Sequence, residues 1–284
     1  MSKLTAGLIA LLLLAGVGQA AVAPYVDFWT NAAYLTTNGE RNNFNAFNLR
    51  SEGKFGLNLS DFLPGIKLIP YVAYYGITSS SDPNYWNNQV ALGGGLRVLP
   101  FTAHSPEGWA TEWLPDVKLF YEKLGLTLLK DEQTAVANNV KMSDTRWGMD
   151  LWHEWNLRNP NPQLLWDETW FNLSYRETDF ATFNYYRTYL LYWQNKIGLH
   201  SVSGLRPYLA TYLTSSGRSE EWYNSLYYGL GVRVEPFLEM AEPPELLRKF
   251  KMFIEVLGIS WLKGNTSNRP SQDIRLGIDF TYGR

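Results

Sequence analysis

The 284-residue chain has no cysteine at all. That excludes a disulfide framework and any thiolate metal site, and it leaves no thiol near the N-terminus to carry a lipid anchor. Histidine is almost as scarce: His104, His153 and His200 are the only three. None stands four residues from another, so no zinc-ligand spacing arises, and neither a metal nor a cofactor is expected. Charge of one sign is also lacking. The 25 Lys and Arg nearly balance the 27 Asp and Glu, for a formal net charge of −2, which leaves no basic surface for nucleic acid. Beyond the first twenty residues no apolar run approaches the roughly 18–20 residues of a transmembrane helix. A chain with this composition that crosses a membrane must do so with strands.

The N-terminus has the form of a secretory signal. Lys3 supplies the positive start, Leu8 to Gly16 an apolar run too short to span, and Gly18-Gln19-Ala20 the small residues of a cleavage site. Residues 1–20 are therefore expected to be removed, leaving 21–284 as the mature protein. Aromatics are plentiful at 15% of the chain, with 12 Trp and 18 Tyr.

The chain also repeats itself. Ile69-Pro70-Tyr71-Val72-Ala73 returns as Arg206-Pro207-Tyr208-Leu209-Ala210. Gly93-Gly94-Gly95-Leu96-Arg97-Val98-Leu99-Pro100-Phe101 returns as Gly229-Leu230-Gly231-Val232-Arg233-Val234-Glu235-Pro236-Phe237. Asn88 matches Asn224, Lys118-x-x-x-Glu122 matches Lys251-x-x-x-Glu255, and Asp144-x-Arg146-x-Gly148-x-Asp150 matches Asp273-x-Arg275-x-Gly277-x-Asp279. Self-similarity at a long period is the mark of a repeated structural unit. The units run over about 25–158 and 165–284, and each holds six strand-like segments.

Twelve strands are predicted, near 26–37, 46–59, 66–78, 86–99, 116–129, 144–157, 165–177, 183–197, 205–215, 222–235, 248–262 and 272–283. Most are long enough to cross a bilayer at a tilt, about 9–11 residues. Side chains of a strand point alternately to its two faces. In the last segment Ile274, Leu276, Ile278, Phe280 and Tyr282 share one face, and Asp273, Arg275, Gly277, Asp279 and Thr281 share the other. Alternation alone does not separate a membrane barrel from a soluble sandwich. The signal segment, the even strand number and the aromatic-rich closing strand favour the barrel. The expected fold is all-β: a twelve-stranded antiparallel transmembrane barrel made of two duplicated six-strand units, in the outer membrane of a Gram-negative bacterium. Both termini then face the periplasm. Two periplasmic connections, 102–115 and 238–247, are longer than such turns usually are.

The Asn-x-x-x-x-Gly-x-Gly-hydrophobic-Arg-Val-x-Pro-Phe segment, followed by a strand with a central Glu (Glu122, Glu255) and closed by an Asp-x-Arg-x-Gly strand, resembles the C-terminal barrel of the phage-adsorption and exopolysaccharide-secretion outer-membrane proteins. The helical-repeat region that precedes the barrel in those proteins has no counterpart in this sequence. The resemblance implies a non-catalytic conduit or surface receptor: a passive channel or export-assembly component for a polar polymer, an exopolysaccharide in the first instance. A structural barrel serving as a surface receptor or docking scaffold is the alternative, and a lipid-modifying enzyme is the third. Expected partners are outer-membrane lipid and lipopolysaccharide, the barrel assembly machinery, and a periplasmic polysaccharide-export partner at 102–115 and 238–247.

The residues that carry chemistry fall in mirrored sets. Arg97, Lys118, Glu122, Arg146 and Asp150 in one unit, and Arg233, Lys251, Glu255, Arg275 and Asp279 in the other, share the inward parity, with Arg50 and Arg187 as possible additions. Inward charges in a narrow lumen must be paired or wetted. They form either an ion-pair plug or a selectivity girdle. Tyr71, Tyr75, Tyr208 and Tyr212 share a parity in matching strands and offer stacking faces for a glycan. Trp29, Tyr34, Tyr85, Trp86, Trp222, Tyr223 and Trp261 are read as interface belts, with Trp109 and Trp113 on a periplasmic connection. His200 with Ser201 and Ser203, and His153 beside Glu154, are the weak candidates for a catalytic pair.

Overall fold

A computed structural model describes residues 22–37, 45–63, 66–80, 87–101, 113–130, 142–156, 165–178, 187–200, 204–218, 224–237, 247, 249–264 and 269–283. The signal segment, Trp109, His104, Tyr85, Trp86, Trp222, Tyr223, Ser201 and Ser203 lie outside the described residues, as does most of 102–115 and 238–247.

Twelve strands form one closed antiparallel ring. They are β1 (Val22–Thr37), β2 (Ala46–Leu63), β3 (Ile66–Ser79), β4 (Gln89–Leu99), β5 (Val117–Leu128), β6 (Ser143–Trp155), β7 (Leu165–Thr178), β8 (Thr188–Leu199), β9 (Leu205–Ser216), β10 (Ser225–Val234), β11 (Phe250–Trp261) and β12 (Gln272–Tyr282). Each pairs with its neighbours in sequence, and β12 closes on β1, where Trp29 stands opposite Thr281 and Asn31 opposite Asp279. Closure leaves no strand edge with unpaired backbone. The rim that carries the start of β1 and the end of β12 is called the terminal rim below.

The alternation of the sequence becomes an inside and an outside. Outward-facing Val72, Leu209, Leu230 and Leu276 are each at least 60% exposed, whereas inward-facing Arg97, Glu122, Arg233 and Glu255 are each 1% exposed. A ring of exposed apolar side chains around an interior of buried charge is the inverse of a water-soluble protein. Its outer surface suits hydrocarbon and not water. The barrel is membrane-spanning.

The strand registers of β1–β6 recur in β7–β12, apart from a register shift at the terminal-rim end of β2–β3 between Leu59 and Leu63. Asp27 stands opposite Lys54 and Glu168 opposite Lys196; Lys54 opposite Ala73 and Lys196 opposite Ala210. Gly95 stands opposite Glu122 and Gly231 opposite Glu255; Glu122 opposite Arg146 and Glu255 opposite Arg275. The closing pair β12–β1 corresponds in the same way to β6–β7, where Asn172 stands opposite Asp150.

The glycines of the repeated motif make this packing fit. A Cβ on Gly93 or on Gly229 would come within 2.0 Å of a carbonyl oxygen of the next strand, Lys123 O or Val256 O. Gly95 and Gly231 leave room for the rings of Tyr71 and Tyr208, which would lie 2.7 and 2.4 Å from a Cβ there. These glycines serve close approach within a sheet and not phosphate binding.

Two sequence expectations are corrected. Arg187 does not join the lumen: β8 begins at Thr188, and the exposed Arg187 pairs with Glu177 at the rim opposite the termini, 3.0 Å apart. Trp29 is not an interface-belt residue. It points inward, and its Nε1 donates to Asp279 Oδ2 at 3.0 Å. A strand end does not by itself place an aromatic in the interface, because parity decides which way it faces.

Candidate functional site in the barrel lumen

Toward the terminal rim the lumen is filled by two clusters built largely from equivalent residues. In the first, Arg97 on β4 reaches to Asp27 on β1 and to Asp150 on β6. Its guanidinium bonds to Asp27 and Tyr25 and lies 2.9 Å from Asp150 Oδ2. In the second, Arg233 on β10 donates to Glu168 on β7 at 2.9 Å and pairs with Glu235 at 2.8 Å; Lys251 on β11 reaches the same Glu168 at 2.8 Å. The flat face of Arg233 rests on Trp166, 3.9 Å from the ring centre. Apart from Arg233–Glu235, which joins residues two apart in sequence, these contacts cross the barrel interior between strands that are not neighbours, so they brace the wall from within.

The two central glutamates form the next layer. Glu122 accepts from Tyr71 and Tyr75, both at 2.7 Å, and Glu255 accepts from Tyr208 at 2.8 Å and from Tyr212. Lys196 Nζ lies 3.6 Å and Arg275 3.9 Å from Glu255. Arg146 is tied to Asp144 at 2.6 Å and Arg275 to Asp273 at 2.7 Å. Asp150 also accepts from Trp170 at 2.8 Å, as Asp279 does from Trp29. Charged hydrogen bonds between groups so deeply buried are strong only while every partner is present.

The sequence-predicted charges thus gather in one place. Arg97, Asp150, Lys118, Glu122 and Arg146 line one side of the lumen, and Arg233, Lys251, Glu255, Arg275 and Asp279 line the other. Arg50 shares their parity but is exposed, toward the rim opposite the termini. The four tyrosines also point inward, but they do not form a free slide. Their hydroxyls are held by the glutamates, and cations lie over their rings: Arg97 is 5.6 Å from the Tyr71 ring centre, Arg146 4.5 Å from Tyr75, Lys196 5.4 Å from Tyr208 and Arg275 4.9 Å from Tyr212.

No protein-family model matches the chain, and no curated protein matches it. Among solved structures it is similar to the β domain of the Bordetella autotransporter Brka, at 12% identity over 92% of this chain and 99% of that one, with a TM-score of 0.37. It is similar to the anion-selective porin from Comamonas acidovorans at 7% identity over 93% and 100%, TM-score 0.32. It is similar also to the translocator domain of the autotransporter NalP from Neisseria meningitidis at 10% identity over 98% and 95%, TM-score 0.30. Likenesses this distant add nothing to a barrel architecture that the strand pairing already establishes.

Sequence reasoning missed Asp27, Glu168 and Lys196, and it put Lys54 on the polar face of its strand without counting it in the site. The signal was there. Tyr25-x-Asp27-x-Trp29-x-Asn31 corresponds to Trp166-x-Glu168-x-Trp170-x-Asn172, an aromatic-x-acid-x-Trp-x-Asn pattern whose conservative changes hide the match.

A cavity of about 230 Å³ remains between the first cluster and the rim opposite the termini. Its lining includes Glu52, Lys54, Tyr75, Arg146, Trp170 and Tyr192, with Trp170 and Tyr192 stacked at 5.9 Å. The histidines are engaged elsewhere. His153 Nδ1 lies 2.9 Å from Asp116 Oδ2, and Trp113 stacks on the imidazole at 4.1 Å, so Trp113 is not an isolated belt residue. His200 Nε2 lies 2.7 Å from Asn156 O. Among the described residues no group of His, Asp and Glu has the arrangement of a metal site.

Proposed function

We propose that the protein is a Gram-negative outer-membrane barrel that is closed at rest, with its two ion-pair clusters as the barrier, and that it acts as a channel or export-assembly component for a polar polymer. The observation that carries this reading is the burial of Arg97 and Arg233, each 1% exposed and each bonded to carboxylates on distant strands. A water-filled passage at that level would wet those guanidinium groups. Polar residues on the inward face suit a hydrophilic guest, and the sequence resemblance to exopolysaccharide-secretion barrels names an exopolysaccharide as that guest. On this reading the terminal rim faces the periplasm. The same closure favours a second reading, a surface receptor or docking scaffold, because such a barrel needs no passage.

Planar-bilayer conductance tests the closure. The parent is expected to be silent. Arg97→Ala and Arg233→Ala each strand buried carboxylates, a loss of about 3–5 kcal/mol, and are expected to leak and to lose their heat-modifiable gel shift at lower temperature. A steadily conducting parent, with variants as stable as itself, means the charges line a wet conduit and the closed reading is wrong. Export is separated from scaffolding by secreted polysaccharide in a deletion strain: unchanged polymer removes the export role.

A further inference from the structure

The cavity beside the first cluster has a chemistry of its own. One wall is aromatic. Trp170 on β7 and Tyr192 on β8 stand with 13° between their ring planes and 5.9 Å between their centres. Trp170 is fixed there by its Nε1, which donates to Asp150 Oδ1 at 2.8 Å. Arg176 lies over the Tyr192 ring at 5.6 Å, and its Nε donates to Ser174 Oγ at 3.2 Å. At the equivalent place across the lumen this wall is not repeated. Asn31 stands opposite Arg50 where Asn172 stands opposite Tyr192, and Leu35 takes the place of Arg176.

The rest of the lining both donates and accepts. Arg97, 1% exposed, gives its two terminal nitrogens to Tyr25, Asp27 and Asp150 and keeps a buried Nε with no partner. Asn172, 9% exposed, donates through Nδ2 to Asp150 Oδ1 and keeps a buried Oδ1 with no partner. Both residues line the cavity. Unmet buried polar atoms are costly, and a hydroxyl, which donates and accepts at once, answers both kinds. The charges are met within the wall itself. Glu52 stands 3.9 Å from Lys54 and Arg146 2.6 Å from Asp144, while Glu122 takes the hydroxyls of Tyr71 and Tyr75. Little charge is left over to hold an ion.

We propose that this cavity holds one neutral sugar ring, its C–H face against Trp170 and Tyr192 and its hydroxyls toward the polar lining. The inference rests on the reading of the lumen as a site for a polar polymer, and it narrows that guest to a single unit. A sugar is apolar on one face and polar around its edge, so it covers an aromatic wall without stranding a hydroxyl. The size agrees. About 230 Å³ exceeds the roughly 150 Å³ that houses benzene and falls short of the roughly 300 Å³ at which pockets for larger ligands begin. That is room for one six-membered ring and its substituents.

The test uses the full-length barrel in a detergent without a sugar headgroup. Glucose, galactose and mannose are titrated singly by ligand-observed NMR, with sulfate as the competing anion. At least one hexose is expected to bind saturably to the parent. Tyr192→Arg installs the residue that the barrel already carries at the equivalent place. It is expected to weaken that binding about tenfold or more, with the heat-modifiable mobility unchanged. Should Tyr192→Arg fail to assemble, Tyr192→Ala is measured in its place, with the same loss expected. No saturable hexose binding, equal affinity in parent and variant, or displacement of the bound hexose by sulfate would each overturn the proposal. The export reading fails separately, since unchanged polymer from a deletion strain removes it and leaves the sugar titration as it stands.

Discussion

Asn88 and Asn224 show how much a single side chain does here. Both are fully buried near the rim opposite the termini. Asn88 Oδ1 accepts from Ser79 N and Asn224 Oδ1 from Ser216 N, each at 3.0 Å, while their own carbonyls accept from Leu129 N and Leu262 N at 2.8 Å. Lys130 and Lys263 complete the two sites by donating to Ser79 O and Ser216 O at 2.7 and 2.8 Å. Each asparagine therefore binds the end of one strand to the start of another. Asn88→Ala leaves the Ser79 amide without its acceptor. It is expected to destabilise the barrel by about 1–3 kcal/mol, read as an earlier loss of the folded band on heating. Asn88→Asp, which keeps the acceptor, should lose less. Equal losses for the two changes would show that the acceptor oxygen is not what matters.

At the scale of the strand, the wall depends on what each face can tolerate. Leu230→Arg and Leu276→Arg put a charge on the outward face at mid-wall, which costs about 2–4 kcal/mol in a bilayer. Gly93→Ala or Gly229→Ala drives a methyl into a backbone carbonyl that cannot move aside. All four are expected to lower the yield of heat-modifiable protein in the membrane fraction, and normal yields for both arginine variants would refute the outward assignment. The strands themselves were legible in the sequence because long period-two alternation leaves little choice of face. The ends were less so. β1 begins at Val22, ahead of the expected 26, since Val22 to Tyr25 still pair with β2, and β8 begins at Thr188 and not at 183. The inward charges could be read from parity, but their partners could not. Arg97 finds Asp27 seventy residues away across the lumen, and no local pattern encodes a contact between non-adjacent strands. The sequence offers the tyrosines as stacking faces for the same reason: that Glu122 and Glu255 take their hydroxyls is a fact of depth and not of spacing.

At the scale of the molecule, the sequence repeat has a counterpart in the strand registers and in most of the lumen, but not throughout it. The buried pair Arg206 and Glu235 of the second half, 3.6 Å apart, is replaced in the first by Ile69 and Leu99. A repeat is visible where both copies do the same work, and it fades where one copy carries an ion pair that the other lacks.

The recurring registers bear on assembly. β6 presents to β7 the same Asp-x-Arg-x-Gly-x-Asp edge that β12 presents to β1, so a nascent sheet of six strands already has two edges that fit each other. Curling up alone would give a tube narrower than the roughly eight strands needed to house side chains, with no space for Arg97, Tyr71 and Trp29 together. Two such sheets joined edge to edge face no such crowding. A gene ending after Trp155 is therefore expected to give a two-chain barrel, read as a doubled native mass that heating halves; a purely monomeric or degraded product would count against it. For the intact chain, this ambiguity is a hazard of kinetic mispairing between neighbouring chains during insertion, and the covalent link from β6 to β7 keeps the correct edge within reach first.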